Sequence, residues 1–589
     1  MQTTFRLSPF NVHISPASDE RKISPPADFP VYWADPADEQ YHWTRDREHT
    51  PHPITPMFLS VVAPCAGEGR GRVIERYAEA IVGRADRVFN GYNYTRYLVF
   101  SGTPDEVNAR ARRYRETMNE ICARLEETWQ EEWKPALEDL WRNWQTFDLQ
   151  NAAMPALLQH LDDTLRWTTK LYEIHYLMGS PMWFALDEFE QYYTDLFSGA
   201  TALDAHRLLQ GFDNKTLQIG RALWHLSRLA RQHPAVAELI LSTPTENILP
   251  RLPDVSGGDE FQVALENFLQ AYGLRTDLWD WGYPSWDENP APVFTSLKSY
   301  ISQPDADMFA HLAEAAAERE AAIAVAREAL SHYPLIVRER FETLLAAAQS
   351  ALRMSEDHTY YIDFNGLGLV RRVIREFGKR FAASGQLHEI RDVFYLKVDD
   401  VRALGANPGL NLAELAQNRR LELESWADYP APLDLGTRPL SPLRLYSADA
   451  RRMARYTGAW VADSDSVSPW QSPVSAEDPS TLRGQPGSSG KVRGHARVIL
   501  SLSDAHRLQK GDILVTTTTA PPWTPLFLTA GGLVTDAGGL LSHGAVVSRE
   551  YRIPAVVGTS LATRVIEDGQ WIEVDGTNGI VTLLTTTTP

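Results

Sequence analysis

The hydrophobic period of this chain changes once along its length, and that change restricts the possible folds more than any other feature. Up to about residue 435, apolar side chains recur at three- and four-residue steps, so this part reads as mostly α-helical; beyond about residue 490 they form short β-branched runs separated by Gly-containing turns. Between them, from about Ala462 to Gly490, Ser, Pro, Asp and Gly dominate, as in Asp463-Ser464-Asp465-Ser466-Val467-Ser468-Pro469 and Gly484-Gln485-Pro486-Gly487-Ser488-Ser489-Gly490. Such a stretch buries too little apolar area to offset the entropy of ordering, and it reads as a linker. The expected fold class is multidomain α + α/β. An extended tail covers residues 1–30, a mostly helical domain 31–440, a flexible linker 441–489 and a compact α/β domain 490–589.

The clearest helix start is Thr103-Pro104-Asp105-Glu106, an N-cap, a first-turn proline and a capping-box glutamate. Val107, Ala111, Tyr114, Met118, Ile121, Leu125, Trp129 and Trp133 follow on one face. Further helices are expected over Met154 to Met178, Leu203 to Arg231, Met308 to Leu330 and Pro334 to Met354. The Pro-rich entry from Pro25 to Pro56 is expected to wrap a surface without helix. Strands are expected at Ala496 to Leu500, Asp512 to Thr516, Gly532 to Thr535, Ala555 to Val557, Trp571 to Val574 and Ile580 to Leu584.

With 43% apolar and 23% charged residues the chain has ordinary globular composition, so collagenous, coiled-coil and disordered readings fall away. A formal charge of −19 without a basic tract would repel nucleic acid and anionic membranes, so neither is expected as a partner. Cys65 and Cys122 make no CxxC pattern, which excludes a disulfide framework and a cysteine-rich zinc site. No residues have metal-ligand spacing. Met1 to Lys22 lacks the basic head and apolar core of a signal peptide, and no run of about 18 apolar residues occurs. A cytoplasmic location is the expectation.

Chemistry concentrates in Thr535-Asp536-Ala537-Gly538-Gly539-Leu540-Leu541-Ser542-His543-Gly544-Ala545-Val546-Val547-Ser548-Arg549-Glu550-Tyr551. A strand ends in paired glycines, and Ser542 is placed to cap a helix whose first residue is His543. Unpaired amides and the positive end of the helix dipole favour an anion there and disfavour imidazolium, so the ring stays neutral and nucleophilic. Gly538, Gly539, Ser542 and Gly544 are the expected phosphoryl-binding positions, Gly544 also removing bulk beside the ring. A plain helix-capping histidine is the alternative.

This stretch, continuing through Arg552-Ile553-Pro554-Ala555-Val556-Val557-Gly558, resembles the phosphohistidine signature of the phosphoenolpyruvate-utilising enzymes. Gly490-Lys491-Val492-Arg493-Gly494-His495-Ala496, Gly511-Asp512-Ile513-Leu514-Val515 and Pro522-Trp523-Thr524-Pro525 are similar to the opening of the same domain. The resemblance implies a swivelling β/β/α phosphohistidine domain that ferries a phosphoryl group on His543. No (β/α)₈ barrel of about 250 residues follows His543, so chemistry on phosphoenolpyruvate itself is not expected. No glycine-rich ATP-grasp loop occurs either, which implies a separate ATP-grasp subunit that binds ATP and Mg²⁺; no tightly bound cofactor is expected on this chain.

In the helical part, Tyr272-Gly273-Leu274-Arg275, Pro284-Ser285-Trp286-Asp287-Glu288-Asn289-Pro290, Ser355-Glu356-Asp357-His358-Thr359-Tyr360-Tyr361-Ile362-Asp363 and Asp392-Val393-Phe394-Tyr395-Leu396 resemble the substrate domains of rifampin phosphotransferases and of the large subunit of phenylphosphate synthases. The latter resemblance implies a mostly helical substrate domain in which phospho-His543 phosphorylates a phenolic hydroxyl, giving an aryl phosphate, AMP and phosphate. The general base expected of such a reaction is sought at His358 or His175. Cations are sought at Arg371, Arg375 and Lys379, which share a helix face with Arg372 nearby, and substrate contacts at Arg275, Glu356 and Trp286. Each has a plain alternative: core packing for His175 and the tryptophans, a solvated turn for the Glu356 run, solvated helix charges for the basic row, a salt bridge to Asp277 for Arg275. Two rival functions stay open: the same carrier chemistry on an antibiotic or polyphenol hydroxyl, and a non-catalytic phosphohistidine relay or regulatory protein.

Overall fold

Thr103 and Glu106 cap as the sequence dictates: the Glu106 carboxylate accepts the Thr103 N–H at 2.8 Å, and the helix Pro104–Cys122 buries Val107, Ala111, Tyr114 and Met118. The computed structural model describes residues 22–46, 49–276, 278–302, 310–427, 429, 431–438, 447–450, 453, 480–519, 523–540 and 542–584. The helices that frame the site are α1 (Pro56–Tyr77), α2 (Met154–Leu196), α3 (Lys215–Gln232), α4 (Ala291–Ile301), α5 (Leu335–His358) and α6 (Leu367–Ala383). Helix α2 lies between α1 and α5, and the three share the main apolar core. A second helical core gathers around α3 and α4. The span Leu203 to Arg231, expected as one helix, stops after His206, turns through Gly211 at φ 73°, and restarts where the Asn214 side chain accepts the Leu217 N–H.

The entry segment does not merely wrap the surface. Strands β1 (Lys22–Ile23), β2 (His42–Arg45), β3 (Ile81–Phe89), β4 (Tyr92–Val99) and β5 (Asp434–Thr437) form an antiparallel sheet in the order β1-β5-β2-β4-β3. Phe29 and Trp43 lie in its core beside Tyr92 and Tyr94. Asn90 and Gly91 turn the β3–β4 hairpin at φ 52° and 83°, the left-handed pair that a two-residue hairpin requires.

Between α5 and α6 the helix does not stop; it widens. Over Thr359–Gly366 the backbone bonds from residue i to i+5, as Leu367 N–H does to Ile362 O. The carbonyls that this loosens find side-chain donors: Asn365 Nδ2 donates to Tyr360 O at 2.9 Å and Trp141 Nε1 to Tyr361 O at 3.1 Å.

The C-terminal domain holds β6 (Thr481–Arg483), β7 (Gln485–Ser488), β8 (Lys491–Val498), β9 (Ile513–Thr516), β10 (Gly532–Thr535), β11 (Ala555–Val557), β12 (Trp571–Asp575) and β13 (Ile580–Leu583), in the order β6-β13-β12-β8-β9-β10-β11-β7. Strands β8 to β11 run parallel. Leu514, Leu533 and Val557 enter one core and Ile513, Val515, Val534 and Val556 another, which is why these strands read as unbroken apolar runs. Helix α7 (His543–Glu550) joins β10 to β11. The linker boundary is corrected at both ends. Residues 481–488 are strands whose backbone pairs offset their poor apolar content. At the other end, Ser447 N–H bonds Asn108 Oδ1 at 2.9 Å and Asp449 pairs with Arg115. Residues 441–446 and 454–479 lie outside the described residues.

The two parts pack together. Val546 of α7 joins the main helical core, while Leu528 and Tyr551 pack against the second. Among the described residues no helix is long and apolar enough to cross a membrane. Cys65 and Cys122 are free and buried.

Candidate active site

Helix α7 starts at a loop held by its own neighbourhood. Arg549 Nη2 donates to Leu540 O at 2.7 Å and its Nη1 to Gly487 O at 2.8 Å. Burial lowers this guanidinium's pKa to about 10, against the pull of Glu550, Glu190 and Glu356. Gly538 takes φ 111°, open to glycine and strained for other residues. Ser542 Oγ accepts the Ala545 N–H at 3.4 Å and donates to Gly539 O at 2.8 Å. The Ser542 hydroxyl thus clasps the loop, its proton placed on Gly539 O. The His543 and Gly544 amides remain at the helix start without an intrahelical acceptor. At Gly544 a Cβ would meet Thr519 Oγ1 at 2.8 Å and Leu533 Cδ2 at 3.0 Å, so the missing bulk serves packing onto the sheet.

His543 is nearly buried, with about 10% of its side chain exposed. Its Nδ1 lies 3.1 Å from Glu356 Oε2 across the domain boundary, and its Nε2 lies 3.4 Å from Thr524 Oγ1. Phe527 stands edge-on to the ring at 6.2 Å. Glu356 also accepts the Thr216 hydroxyl at 2.7 Å. Burial pushes the Glu356 carboxyl up, but the charge and hydrogen bond of His543, the Thr216 bond and the charge of His358 outweigh it, and the group sits below the usual carboxylate range. An ionised Glu356 only accepts, so Nδ1 carries a hydrogen, and in the neutral ring the lone pair is left on Nε2. That nitrogen is the one able to take a phosphoryl group.

The expected acceptor residues separate into two sets. His358 and His175 are brought together, rings 5.4 Å apart, and His358 Nε2 lies 3.9 Å from Asp363 Oδ2. Burial holds His175 well below the usual histidine range, aided by the charges of His358, His49, Arg70 and Arg84. Asp357 instead accepts the Lys215 N–H at 2.9 Å at the start of α3, and burial raises its pKa to about 6. The basic row is ion-paired. Arg371 is buried, pairs with Glu288 and lies over the Phe394 ring; Arg375 reaches the same Glu288 at 3.1 Å; Lys379 pairs with Glu376 at 3.3 Å. Arg371 and Arg375 thus share the carboxylate of Glu288, and the exposed Lys379 has that of Glu376. Arg275 is likewise core, with Trp286 and Phe364 rings 4.9 and 4.4 Å away, and Trp286 packs beside Phe268 in the second helical core. Asp277 lies outside the described residues. Glu356, expected at the substrate, is the residue that orients His543.

The Glu356–His543 pair and Asp363 are the features that sequence reading missed. Their only trace is the polar, aromatic run Glu356-Asp357-His358-Thr359-Tyr360-Tyr361-Ile362-Asp363, too polar for a plain core helix. Among the described residues no group of three or more His, Cys, Asp or Glu side chains is arranged to hold a metal ion.

Comparison with known proteins matches both halves of this site. Residues 508–579 match the family "PEP-utilising enzyme, mobile domain", and residues 180–356 match "Rifampicin phosphotransferase fourth domain". The C-terminal domain is therefore similar to the mobile domain of the phosphoenolpyruvate-utilising enzymes, and part of the helical region to a domain of the rifampicin phosphotransferases. Among individual proteins, the chain is 34% identical over 572 residues to chondramide synthase cmdD of Chondromyces crocatus, covering 95% of this chain and 14% of that one. It is 32% identical over 378 residues to a rifampicin phosphotransferase of Streptomyces sviceus, covering 63% of this chain and 40% of the other. To the uncharacterized phosphotransferase YvkC of Bacillus subtilis it is 24% identical over 546 residues, 92% of this chain and 62% of that one. The chain thus spans less than two thirds of each of these relatives.

Proposed function

We propose that this chain is a phosphotransferase component in which Nε2 of His543 accepts a phosphoryl group derived from ATP and passes it to a phenolic hydroxyl bound by the helical domain. The overall conversion takes the phenol, ATP and water to an aryl phosphate, AMP and phosphate. ATP and Mg²⁺ are assigned in this reading to an ATP-grasp subunit acting in trans, and no step is routed through a metal on this chain.

One observation carries the reading: the ring that matches the phosphohistidine position is held across a domain boundary by a buried, ionised glutamate that fixes its tautomer. In this reading the docked arrangement is the acceptor-facing state. Glu356 keeps the hydrogen on Nδ1, so that the N–P bond at Nε2 can break without an uncompensated charge on the ring. The His543 and Gly544 amides and the Thr524 hydroxyl stabilise the oxygens of the group in transit. A phenol, with a pKa near about 10, needs only a modest base.

A second reading, transfer to an antibiotic or polyphenol hydroxyl, is favoured by the match of residues 180–356 to a rifampicin phosphotransferase domain. One experiment separates the readings. The chain, ATP and an ATP-grasp module are incubated with phenols, macrolactams and flavonoids, and products are identified by mass spectrometry. A phosphorylated phenol formed by the wild type, and reduced to background in His543→Ala, is expected. Full product formation by His543→Ala contradicts the reading, and labelling of the chain without any phosphorylated small molecule points to a relay instead.

A further inference from the structure

We propose that Glu550 is a positioning residue that carries a proton while the C-terminal domain is docked, so that delivery of His543 to the helical part weakens as pH rises. The role in transfer rests on the carrier reading of His543, but the docking contact does not. Helix α7 touches the helical part at both ends, about 10 Å apart along its axis. His543 meets Glu356 at the start, and the Glu550 carboxyl accepts the Gly211 N–H at the end, its two oxygens 3.2 and 3.1 Å from that nitrogen. One contact alone leaves the helix free to pivot; two fix the direction in which the imidazole points.

The receiving turn is built by the helical part alone. Gly211 sits at φ 73°, and a Cβ there would collide with the Ala316 backbone, so the turn presses on the helix Ala310–Ala329. From that helix Arg319 Nη1 donates to Gln210 O at 2.9 Å and to Gly211 O at 3.1 Å. The Gly211 N–H is left for Glu550. Arg552, just beyond α7, reaches Glu314 at 3.3 Å and Glu318 at 3.2 Å on the same helix. Val546, Leu528 and Tyr551 add apolar contacts, and Ser299 Oγ lies 3.2 Å from Thr529 Oγ1.

The proton follows from what surrounds the carboxyl. Glu550 is 4% exposed, and its neighbour Arg549 directs its guanidinium to the carbonyls of Leu540 and Gly487. Facing the end of α7 from the helical part are the carboxylates Glu190, Glu314, Glu318 and Glu356, the cations Arg221 and Arg319, and the ring of His206. Burial raises the Glu550 pKa from 4.5 to about 7, against the Gly211 bond and the charges of Arg549 and Arg319, with Glu356 adding to the rise. A neutral carboxyl still accepts from Gly211 through its carbonyl oxygen. Burial and the Arg549 charge hold His206 below the usual histidine range, and burial pushes the Tyr551 phenol up, so both stay neutral near pH 7. On the separated domain a solvated Glu550 returns to the ordinary value of 4.5. Docking is then strongest below that value and is lost as pH rises through the docked one.

Hydrogen exchange of the full chain, without ATP or a phosphoryl donor, tests this at about pH 6 and about pH 8. Protection is corrected for the intrinsic pH dependence of exchange. Interface peptides, carrying Gly211 and residues 546–552, are compared with reference peptides from β9 and α2. The wild-type interface should lose about tenfold in protection between the two pH values while the references hold. Glu550→Gln, whose amide oxygen still accepts from Gly211, should lose no more than about twofold. Arg552→Ala, an exposed change that leaves the fold intact, should weaken protection by about two- to fivefold at both pH values and keep the wild-type slope. Equal interface protection at both pH values in the wild type, the same fall in Glu550→Gln, a flat profile in Arg552→Ala, or a parallel fall in the references overturns the proposal. Labelling of His543 with ATP and an ATP-grasp module separates the two claims: pH-linked docking without phosphate on His543 sinks the carrier reading and spares the docking contact, whereas phosphate on His543 with pH-independent docking does the reverse.

Discussion

The loop that presents His543 and the histidine cluster beyond Glu356 are built in contrasting ways. Ser542, Gly539, Leu540, Ala545 and Arg549 hold the loop by hydrogen bonds that rarely leave the stretch between β10 and β11. The cluster instead draws its side chains from residues 49, 175, 279, 358 and 363, and its rings meet only because α2, α5 and the entry segment pack together. The loop's geometry is set within its own domain, whereas that of the cluster depends on how distant elements pack. The Glu356–His543 contact joins the C-terminal domain to the helical part.

Breaking that contact should have the largest effect. Glu356→Gln removes the charge that fixes the His543 tautomer while keeping a polar group for Thr216, and phosphoryl transfer should fall by about 10²-fold, read from single-turnover rates. Because the folded pKa of Glu356 lies below its usual value of 4.5, its stabilising contribution is fully present above that pH and is lost as pH falls through the lower folded value. Melting curves taken across this acid range should therefore be flatter in Glu356→Gln, and an unchanged slope would contradict the assignment.

Next in size is Glu550, at the end of the His543 helix, whose carboxylate accepts the Gly211 N–H of the helical part at 3.1 Å. Burial raises its pKa to about 7 from 4.5, so here the sign is opposite. The folded form favours the protonated group, and stability is lost as pH rises from the unfolded toward the folded value, by up to about 3 kcal/mol. Glu550→Gln, whose amide oxygen still accepts from Gly211, should remove that loss. Thermal melts of both forms across this pH range test it.

Gly544→Ala sharpens the contrast from the loop side. A Cβ at 2.8 Å from Thr519 Oγ1 and 3.0 Å from Leu533 Cδ2 forces the helix off its sheet, with a loss of about 1–3 kcal/mol in denaturant unfolding. The smallest effect is expected at Arg375, a half-exposed partner of Glu288. Arg375→Ala should change stability by about 0–1 kcal/mol and leave transfer within about twofold, whereas a collapse of transfer would return the basic row to the site.

This contrast also explains what could be read in advance. Strands β10 and β11, the Ser542 cap and the start of α7 were legible because local apolar runs and a capping residue determine them. The Asn90-Gly91 hairpin carried an equally local signal, which the helical context around it obscured. Strands β6 and β7 were hidden because backbone pairing, not side-chain content, makes them. Arg371, Arg375 and Lys379 looked like a phosphate-binding face because sequence shows spacing but not the carboxylates of Glu288 and Glu376 that occupy them. Glu356 was noticed, yet its partner lies 187 positions away, and no periodicity announces such a pair.

The most direct test is the position of the phosphate. After incubation with ATP and an ATP-grasp module, the chain should carry an acid-labile, base-stable phosphate at Nε2 of His543, mapped by mass spectrometry and phosphorus NMR. A phosphate found on any other residue, or equal labelling of His543→Ala, would contradict the account.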